Sequence, residues 1–325
     1  MNAPGPALDR IPLQPAEDAP LWIVVNGASG HQDADEACVT IAGLCDEAGR
    51  THDFLRIPDP GRIAEVAAEA VRRAKAVNGI VVAVGGDGTL SAVAQAALDR
   101  GCAFAALPQG TFNYFGRTHG IPQDLGAAVR GLLRATLQPV QVGRVNGRVF
   151  LVNASLGLYP ELLEDREAAK QAFGRSRWVA MLAGLRTLMH GARRLQVDVD
   201  SEGGRRTVRT STLFVGNNAL QFARLGIGED AAPGRGRLAG IIIRPATRLA
   251  LLGLALKGAL GRLGDAENIE SFAFSRLTVS PRGRRRIKVA IDGEILWLRS
   301  PLRFEVSPES LSLMLPPPEH RVPVE

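Results

Sequence analysis

The residues best suited to chemistry are six consecutive positions, Gly85 to Leu90, with the sequence GGDGTL. An apolar run ends at these glycines and an apolar pattern with helical spacing follows, which predicts a strand, a tight turn and a helix. Because Gly85, Gly86 and Gly88 lack Cβ, the backbone there can take positive φ and let a bulky anion come close to its N–H groups. The helix, expected to begin near Thr89, would direct its positive end at a nucleotide phosphate.

Asp87 conflicts with a simple phosphate turn, because a carboxylate repels phosphate unless a divalent cation or a transferable proton lies between them. We interpret this conflict as an indication of function. The competing interpretation is a glycine turn that only connects a strand to a helix, and a motif of this kind needs supporting context.

The first supporting stretch is NGASG, Asn26 to Gly30, which follows the short apolar strand Leu21 to Val25 and precedes an acidic helix start. A repeated unit of strand, glycine turn and helix builds a parallel sheet with a nucleotide at its carboxyl edge. We expect Asn26 to hydrogen-bond a neighbouring loop and Gly30 to give clearance for a ligand.

The second supporting stretch follows another buried strand, Cys102 to Leu107, and begins with PQGTFN. Gly110 allows close approach, Thr111 offers a hydroxyl to a phosphate or a ribose, and Asn113 can brace the loop. His119, further along the same stretch, is expected to be a surface loop histidine.

A third acidic feature stands near the end of the chain, where a strand pattern breaks at Asp292, Gly293 and Glu294. Asp-Gly is a common hairpin turn, and alone it indicates nothing more. Together with two phosphate loops it supplies a carboxylate able to accept the proton of an attacking hydroxyl, which a phosphoryl-transfer enzyme needs.

Strand and helix patterns alternate through the first part of the chain, which predicts a doubly wound α/β domain at 21–139 after a flexible lead-in at 1–20. Its last helix is expected to run from a cap at Asp124 to about Leu137. From residue 140 the pattern changes to strand pairs with an Asn-Gly hairpin signal at Asn146. We expect a mostly antiparallel domain at 140–310 and a C-terminal segment at 311–325 that returns to the first domain.

Three strand predictions in the second domain are specific enough to test. They are a hairpin from Leu195 to Val215, a strand near Phe272 to Val279 and a strand pattern from Arg286 to Leu298 that breaks at the Asp-Gly turn.

The composition is that of a globular protein, with 325 residues of which 46% are hydrophobic, enough for two domains. The net charge of +6 favours an anionic partner. Because the basic residues are scattered without aromatic interleaving, a nucleotide or an anionic membrane surface fits better than nucleic acid. Residues 1–20 show no signal-peptide pattern, so we expect a location inside the cell. The three cysteines lack metal-site spacing and are expected to be small buried apolar residues.

Two apolar segments, Trp178 to Met189 and Leu249 to Leu260, invite a membrane interpretation. A charged residue, Arg186 or Lys257, interrupts each before it reaches the roughly 20 apolar residues that a span requires. We interpret them as helices that cover a β-sheet, with an acyl-chain pocket or contact with a membrane surface as the alternative.

The four motifs resemble, in order and spacing, those of the diacylglycerol kinase catalytic family, which includes bacterial lipid kinases and sphingosine kinases. The resemblance covers nearly the whole chain after the lead-in. It implies an α/β fold with an N-terminal doubly wound parallel sheet that binds ATP, a C-terminal β-sandwich that binds lipid, and a cleft between them. The implied reaction is transfer of the γ-phosphoryl group of ATP to the hydroxyl of a lipid alcohol such as diacylglycerol, in a cytoplasmic enzyme that contacts the anionic inner membrane face transiently.

The resemblance also implies residue roles. ATP would lie on the glycine turns, Mg²⁺ would bridge its phosphates with Asp87 as a protein ligand, and Glu294 or Asp292 would be the base on the lipid hydroxyl, with a direct role of Asp87 left open. The nucleotide-binding residues so implied are Asn26, Gly30, Gly85, Gly86, Asp87, Gly88, Thr89, Gly110, Thr111 and Asn113.

One departure from the family pattern concerns a metal. Bacterial members often carry Asp-Gly at a position where this chain has Arg235 before Gly236. In those members the Asp helps to bind a structural magnesium. Because this chain has Arg235 instead, the resemblance does not imply this second metal site here.

Two rival functions stay open at this point. NAD kinases also use a GGDG turn, but they usually show a downstream Asn-Glu pair where this chain has Asn217 and Asn218. A lipid-binding or regulatory protein without kinase activity is the other rival, which the intact acidic residues disfavour. The sequence names neither the lipid nor the oligomeric state, and a homodimer stays open.

Overall fold

The computed structural model describes residues 14–27, 31–110, 113–164, 195–201, 204–224, 226, 228, 232–234, 236–244 and 268–323. The chain divides into two compact units. Unit 1 contains residues 1–142 and 307–325, and unit 2 contains residues 143–306. The domain boundaries predicted from the sequence were between residues 139 and 140 and between residues 310 and 311.

Unit 1 alternates strands and helices along the chain. Its strands are β1 (Leu21–Asn26), β2 (His52–Ile57), β3 (Ile80–Gly85), β4 (Ala103–Pro108), β5 (Thr136–Val140) and, from the C-terminal segment, β18 (Leu311–Leu315). Its helices are α1 (His31–Glu47), α2 (Ile63–Ala76), α3 (Asp87–Arg100), α4 (Tyr114–Thr118) and α5 (Leu125–Leu133).

These six strands form one sheet in the order β2-β1-β3-β4-β18-β5, in which only β5 is antiparallel to its neighbour. Every residue of β3 and β18 is buried. Helices account for this burial, since α1 packs against α5 and α2 against α3 to form the two layers of a doubly wound fold. The predicted α/β fold class is confirmed for unit 1.

The parallel register positions the candidate site. Val84 of β3 is paired with Val25 of β1 and with Leu107 of β4. Because the three strands end at the same level, the loops that follow them emerge at one edge of the sheet, as expected for a nucleotide-binding α/β fold.

The end of α5 differs from the prediction. Asp124 caps the helix as expected, and its Oδ1 accepts a hydrogen bond from Ala127 N at 2.8 Å. The helix ends at Leu133 instead of Leu137, because residues from Thr136 onward pair with β18 as strand β5. A partner strand from the other end of the chain thus overrides the local helical pattern.

Residues 14–20, which the sequence analysis placed in a flexible lead-in, make specific contacts. Gln14 Oε1 accepts a hydrogen bond from Leu137 N at 2.9 Å, and Ala19 is buried. This segment therefore packs on unit 1, and residues 1–13 lie outside the described part of the chain.

Unit 2 consists mainly of strands. They are β6 (Gly143–Val145), β7 (Arg148–Phe150), β8 (Asn153–Gly157), β9 (Leu195–Ser201), β10 (Gly204–Thr210), β11 (Thr212–Gly216), β12 (Leu238–Ile243), β13 (Ile269–Phe274), β14 (Arg276–Pro281), β15 (Arg286–Ile291), β16 (Glu294–Arg299) and β17 (Leu302–Val306). Residues 158–164 are helical, and a short helix, α6, spans Ala219–Arg224.

The strands form two antiparallel sheets, β10-β9-β14-β17-β6-β7 and β13-β12-β11-β8-β15-β16. One apolar cluster contains residues of both sheets, including Val197 and Phe304 from the first and Leu213 and Val289 from the second. The two sheets therefore pack face to face around a common core. This β-sandwich confirms the predicted fold class of the second half.

Two strand predictions in unit 2 are corrected. The pattern from Phe272 to Val279 is two strands, β13 and β14, that belong to different sheets. The stretch from Leu195 to Val215 is a hairpin only as far as Thr210, because β11 crosses to the other sheet. Alternation of apolar residues continues through such a crossing, so the pattern alone does not reveal it.

Both apolar segments, 178–189 and 249–260, lie outside the described residues, as does Arg235. Within the part of the chain that the structure describes, no helix is long and apolar enough to cross a membrane. Cys38, Cys45 and Cys102 are buried as expected, and burial raises the pKa of the Cys45 and Cys102 thiols to about 11.

Candidate nucleotide-binding turns and candidate base

The GGDGTL turn joins β3 directly to α3. Gly85 ends the strand, Gly86 is the N-cap, and the helix begins at Asp87, two residues earlier than predicted. The N–H groups of a first helical turn have no acceptor within the helix, and Gly86 provides no side chain to cap them. A Cβ built at Gly86 would have no atom within 4 Å. The positive end of α3 therefore borders open space that an anion can occupy.

The glycines of this turn do not use the positive φ that the sequence allowed. None of Gly85, Gly86 and Gly88 has a positive φ, and Gly86 is extended at φ −79° and ψ 177°. Gly85 is required by packing, because a Cβ there would lie 2.8 Å from Cβ of Thr89. Positive φ, which glycine would allow, is thus not used at these positions; Gly85 is needed for the close approach of Thr89, whereas Gly86 leaves the space at the helix end open.

Asn26, at the end of β1, ties the first glycine turn to the second. Its Nδ2 donates a hydrogen bond to Thr89 Oγ1 at 3.1 Å, which confirms the expected contact with a neighbouring loop. Thr89 is buried beneath the turn, with 4% of its surface exposed. Its side chain therefore holds the turn in place, whereas its backbone N–H lies in the first turn of α3.

The loop after β4 meets the GGDGTL turn through Gly110. A Cβ on Gly110 would come within 3.2 Å of Gly86 Cα and within 2.7 Å of Asn113 Oδ1. Asn113 braces this loop as predicted, since its Oδ1 accepts from Gly110 N at 2.7 Å and its Nδ2 donates to Gln123 Oε1 at 2.7 Å. The turns after β1, β3 and β4 are thus mutually connected.

Gly30 and Thr111, the remaining two predicted nucleotide contacts, lie outside the described residues. Their assignments stay predictions that rest on the sequence motifs alone. The bonds of Asn26 and Asn113 fix the described ends of both loops.

Asp87 stands in the first turn of α3, where a carboxylate is favourably placed relative to the helix dipole. Among the described residues, no group of three or more His, Cys, Asp or Glu side chains could hold a metal ion by itself. Mg²⁺ in nucleotide sites is commonly held by one or two carboxylates together with substrate phosphates and water. A single carboxylate beside an open helix end fits that type of site.

His119 lies in the turn after α4, as expected for a loop histidine, but it is half-buried and not fully at the surface. It follows the last residue of α4, and its ring lies edge-on to Phe115 with 4.7 Å between the ring centroids. Burial lowers the pKa of His119 to about 4, and the neighbouring charge of Arg321 adds to the shift. His119 is therefore a neutral packing residue at physiological pH.

The Asp-Gly turn of unit 2 connects β15 to β16, with φ of 46° at Asp292 and 92° at Gly293. The Asp292 side chain is buried and caps backbone groups some 140 residues earlier in the chain. Its Oδ2 accepts from Leu151 N at 2.7 Å, and its Oδ1 accepts from Val152 N and Asn153 N, each at 2.9 Å. Asp292 thus fixes the loop before β8 to the hairpin turn.

Glu294 begins β16, two residues after Asp292. The residue is exposed, yet partial burial of its carboxyl group raises the pKa of Glu294, a shift that the charge of Arg148 partly offsets. A raised pKa makes the ionised carboxylate a stronger proton acceptor. Of the two acidic residues at this turn, Glu294 is the one suited to act as a base.

Proteins of known family are similar in sequence to this chain, including the stretch that contains the three glycine-rich turns. The family described as "Diacylglycerol kinase catalytic domain" matches residues 20–145. A "Probable lipid kinase YegS-like" of Pseudomonas aeruginosa is 32% identical over 306 residues, which cover 88% of this chain and 92% of the relative. The chain belongs to the diacylglycerol kinase catalytic-domain family.

A second relative and a solved structure extend the comparison, the relative in sequence and the structure in fold. A "Diacylglycerol kinase" of Bacillus subtilis is 30% identical over 146 residues, covering 44% of this chain and 47% of that protein. A crystal structure of a diacylglycerol kinase from Bacillus anthracis strain Sterne shares the fold, with a TM-score of 0.64 at 17% identity over 92% of this chain and 97% of that chain. The resemblance inferred from the four motifs is confirmed. The site is therefore interpreted below as that of a lipid kinase.

Two residues of this diacylglycerol kinase family member were missed by sequence reasoning. Gln123 anchors Asn113, and Arg148 offsets the raised pKa of Glu294. Neither belongs to a recognisable motif, and both act on residues that are distant in sequence or lie on a different loop. Only the tertiary structure could identify them.

Proposed function

We propose that the chain is an ATP-dependent lipid kinase that transfers the γ-phosphoryl group of ATP to the hydroxyl of a lipid alcohol such as diacylglycerol. The observation that carries the proposal is the open amino end of α3 at Gly86, held among three connected turns. Family membership supports the kinase class, and the names of the relatives support a lipid as the acceptor.

The nucleotide phosphates would bind to backbone N–H groups at the amino end of α3. Helix N-termini bind phosphate because their N–H groups lack acceptors and their dipole is positive there. Gly86 gives a phosphate access, and Gly110 lets the adjacent loop approach closely. We assign Gly30 and Thr111 to the same set on their motifs.

Asp87 would hold Mg²⁺ beside these phosphates. The ion, when bound, would neutralise charge that develops on the transferred phosphoryl group. Asp87 itself would fix the position of the phosphates relative to the helix end, so its removal should lower phosphoryl transfer more than it lowers stability.

Glu294 would accept the proton of the lipid hydroxyl. As the hydroxyl oxygen forms its bond to the γ-phosphorus, the bond between that phosphorus and the bridging oxygen of ADP breaks, and the hydroxyl proton passes to the Glu294 carboxylate. The raised pKa of Glu294 supports this assignment. Asp292, whose two oxygens accept three backbone hydrogen bonds, would position the turn that carries Glu294.

Contact with an anionic membrane would use a basic surface on unit 2, defined by Arg284, Arg285, Arg286 and Arg299 around Trp297. All five residues are exposed, and Trp297 is 59% exposed, which is unusual for a large aromatic side chain. Tryptophan favours the interface between water and lipid, and arginine is attracted to anionic lipids. We therefore propose that the enzyme works in the cytoplasm at the inner membrane face.

The deciding experiment is transfer of labelled γ-phosphate to a panel of lipid alcohols in mixed micelles. We expect the wild type to phosphorylate at least one lipid, and Asp87→Asn and Glu294→Gln to reduce the rate by about 10²- to 10⁴-fold. Matched controls are Asp99→Asn, at the far end of the same helix α3, and Glu305→Gln in β17, which should retain the wild-type rate.

The same assay separates the rival functions. A wild type that binds lipid but transfers no phosphate would make the chain a binding or regulatory protein. Phosphorylation of NAD in place of lipid would overturn the acceptor class. Wild-type rates in both Asp87→Asn and Glu294→Gln would show that the residue roles are wrong.

A further inference from the structure

Unit 1 contains a cavity that no motif of the sequence predicts. Its volume is about 400 Å³, within the range of roughly 300 to 1,000 Å³ that is typical of small-molecule pockets. It is lined by residues of the N-terminal segment, by Ala48 after α1, by Arg50, by Leu133 to Thr136 and by Met314 of β18.

Arg50 is the unusual residue of this cavity. It is only 8% exposed, and its guanidinium group has neither a hydrogen bond nor an ion pair with any residue that the structure describes; its Nε is fully buried without a partner. A guanidinium this deeply buried without a hydrogen-bonded counter-ion is costly, because no direct partner replaces the hydration that it loses. Desolvation lowers the pKa of Arg50, and electrostatic interactions with Cys45 and Asp18 offset part of that shift.

Arg134 contributes a second guanidinium group to the cavity. It is exposed, and its Nη1 donates to Nε2 of His320 at 2.9 Å, so the side chain is held at the cavity wall. Two positive side chains from separate elements thus line one cavity, with the hydroxyl of Thr136 as a further donor. Glu17 is the acidic lining residue; it is exposed and, within the part of the chain that the structure describes, forms no hydrogen bond or ion pair with Arg50.

The cavity is separate from the glycine turns within the same sheet. Arg50 precedes β2, at the amino ends of the parallel strands, whereas the glycine turns follow the carboxyl ends of β1, β3 and β4. The nucleotide assigned to the glycine turns therefore does not account for the unpaired charge of Arg50.

We propose that this cavity binds a phosphate-bearing anion, with the Arg50 guanidinium as the principal contact and Arg134 as the second. Guanidinium groups recognise phosphate through paired N–H donors, which is the interaction that Arg50 lacks. Ala48, Leu133 and Met314 provide apolar surface for an organic portion of the ligand. The site lies wholly within unit 1 and does not depend on the proposed kinase function.

The first test is thermal unfolding of the full chain in inorganic phosphate against chloride at equal ionic strength. We expect phosphate to raise the Tm of the wild type and its apparent affinity to fall at least tenfold in Arg50→Met, which keeps the apolar stem and removes the charge. Arg50→Lys, which keeps the charge without the paired donors, should bind phosphate with intermediate affinity. In chloride, Arg50→Met should be at least as stable as the wild type, because it removes an unpaired buried charge.

Phosphate bound at the glycine turn needs its own control. Gly86→Asp places a carboxylate in the open space at the amino end of α3 and should repel phosphate there without a clash. The phosphate effect that depends on Arg50 should persist in that variant. A crystal soaked with tungstate should show the anion beside Arg50.

A second probe, dihexanoylphosphatidic acid below its micellar concentration, distinguishes a lipid headgroup from a soluble phosphate. Binding of either probe that is lost in Arg50→Met supports the site, and tighter binding of the lipid identifies the headgroup as the source. Equal phosphate affinity in wild type and Arg50→Met, or destabilisation of Arg50→Met that is the same in phosphate and in chloride, would overturn the proposal.

Discussion

Two turns of this protein place aspartate beside glycine, and they differ in whether nearby backbone N–H groups are satisfied by a side chain. In unit 2, Asp292 turns inward and satisfies three backbone N–H groups of its own chain. In unit 1, the N-cap of α3 is Gly86, which has no side chain, and the space in front of it is open. Backbone donors that a protein satisfies itself serve the fold, whereas donors left at an uncapped, accessible helix end are available to a ligand.

The sharpest test of this contrast compares Asp292→Ala with Asp87→Ala. Removal of the Asp292 carboxylate leaves three buried N–H groups without an acceptor, so we expect a loss of about 3 to 5 kcal/mol in the free energy of unfolding. Asp87→Ala should cost no more than about 1 kcal/mol, the scale of a carboxylate interaction with a helix dipole, while phosphoryl transfer is lost. Urea denaturation and the kinase assay measure the two quantities.

An exposed aspartate on β9, Asp200, provides the control for these variants. Asp200→Ala should change the unfolding free energy by no more than about 0.5 kcal/mol. If Asp292→Ala proves as stable as this control, the turn of unit 2 is not held by its carboxylate and the contrast fails.

The second prediction concerns the pH dependence that Glu294 gives to catalysis. Its pKa is raised, and only the ionised carboxylate accepts a proton, so kcat/KM should rise with pH through an inflection above the ordinary range of a glutamate. Glu294→Gln should lose that inflection along with about 10²- to 10⁴-fold in rate. A rate-pH profile of the variant that keeps the wild-type inflection would assign the base to another group.

The third prediction concerns a variant in which a side chain caps the turn of unit 1, as Asp292 does in unit 2. Gly86→Ser supplies a side-chain cap in open space at an ordinary φ, so stability should be unchanged or slightly higher while affinity for an ATP analogue falls by about tenfold. Gly85→Ser is the matched variant, and its Cβ would collide with Thr89, at a cost of about 1 to 3 kcal/mol. Equal loss of stability in both variants would contradict the assignment of one glycine to packing and the other to binding.

The last prediction, with the smallest expected effect, concerns the pH dependence of stability. It tests how much of the loss of stability in acid comes from His119 and how much from the two turns. The folded pKa of His119 is about 4 against 6.5 for the free side chain, so between these values the unfolded chain binds the extra proton. The stability associated with neutral His119 is therefore fully present above pH 6.5 and decreases as pH falls toward 4.

His119→Phe keeps a ring against Phe115 and should remove about 1 to 2 kcal/mol of this pH-dependent loss. Chemical denaturation at pH 7 and pH 4.5 is the measurement. An identical pH dependence in wild type and variant would place the acid-sensitive group elsewhere.

The sequence was sufficient for features that depend on neighbouring residues. The strand-turn-helix at Gly85, the cap at Asp124 and the hairpin at Asn146 follow from local patterns, and the structure confirms all three. The bonds of Asn26 and Asn113 were also anticipated, because a side-chain amide at a strand end or within a tight loop readily hydrogen-bonds nearby loop groups.

Features that depend on distant partners were not visible in the sequence. The role of Asp292 as a cap requires knowing that residues 151–153 lie beside it, which no local pattern encodes. The strand conformation of Thr136 and Leu137, which the local pattern predicted as the end of a helix, depends on β18 in the same way. The glycine spacing allowed positive φ at Gly85, although steric exclusion by Thr89 selects the same residue type.

The position of β18 bears on how the molecule is made. This strand, which follows unit 2 in the sequence, inserts between β4 and β5, and among the described strands β5 pairs with β18 alone. A ribosome therefore releases all of unit 2 before the sheet of the amino-terminal half can close. Nascent chains should hold that half in an incomplete state until β18 has emerged, with the edge of β4 unprotected against aggregation in the interval.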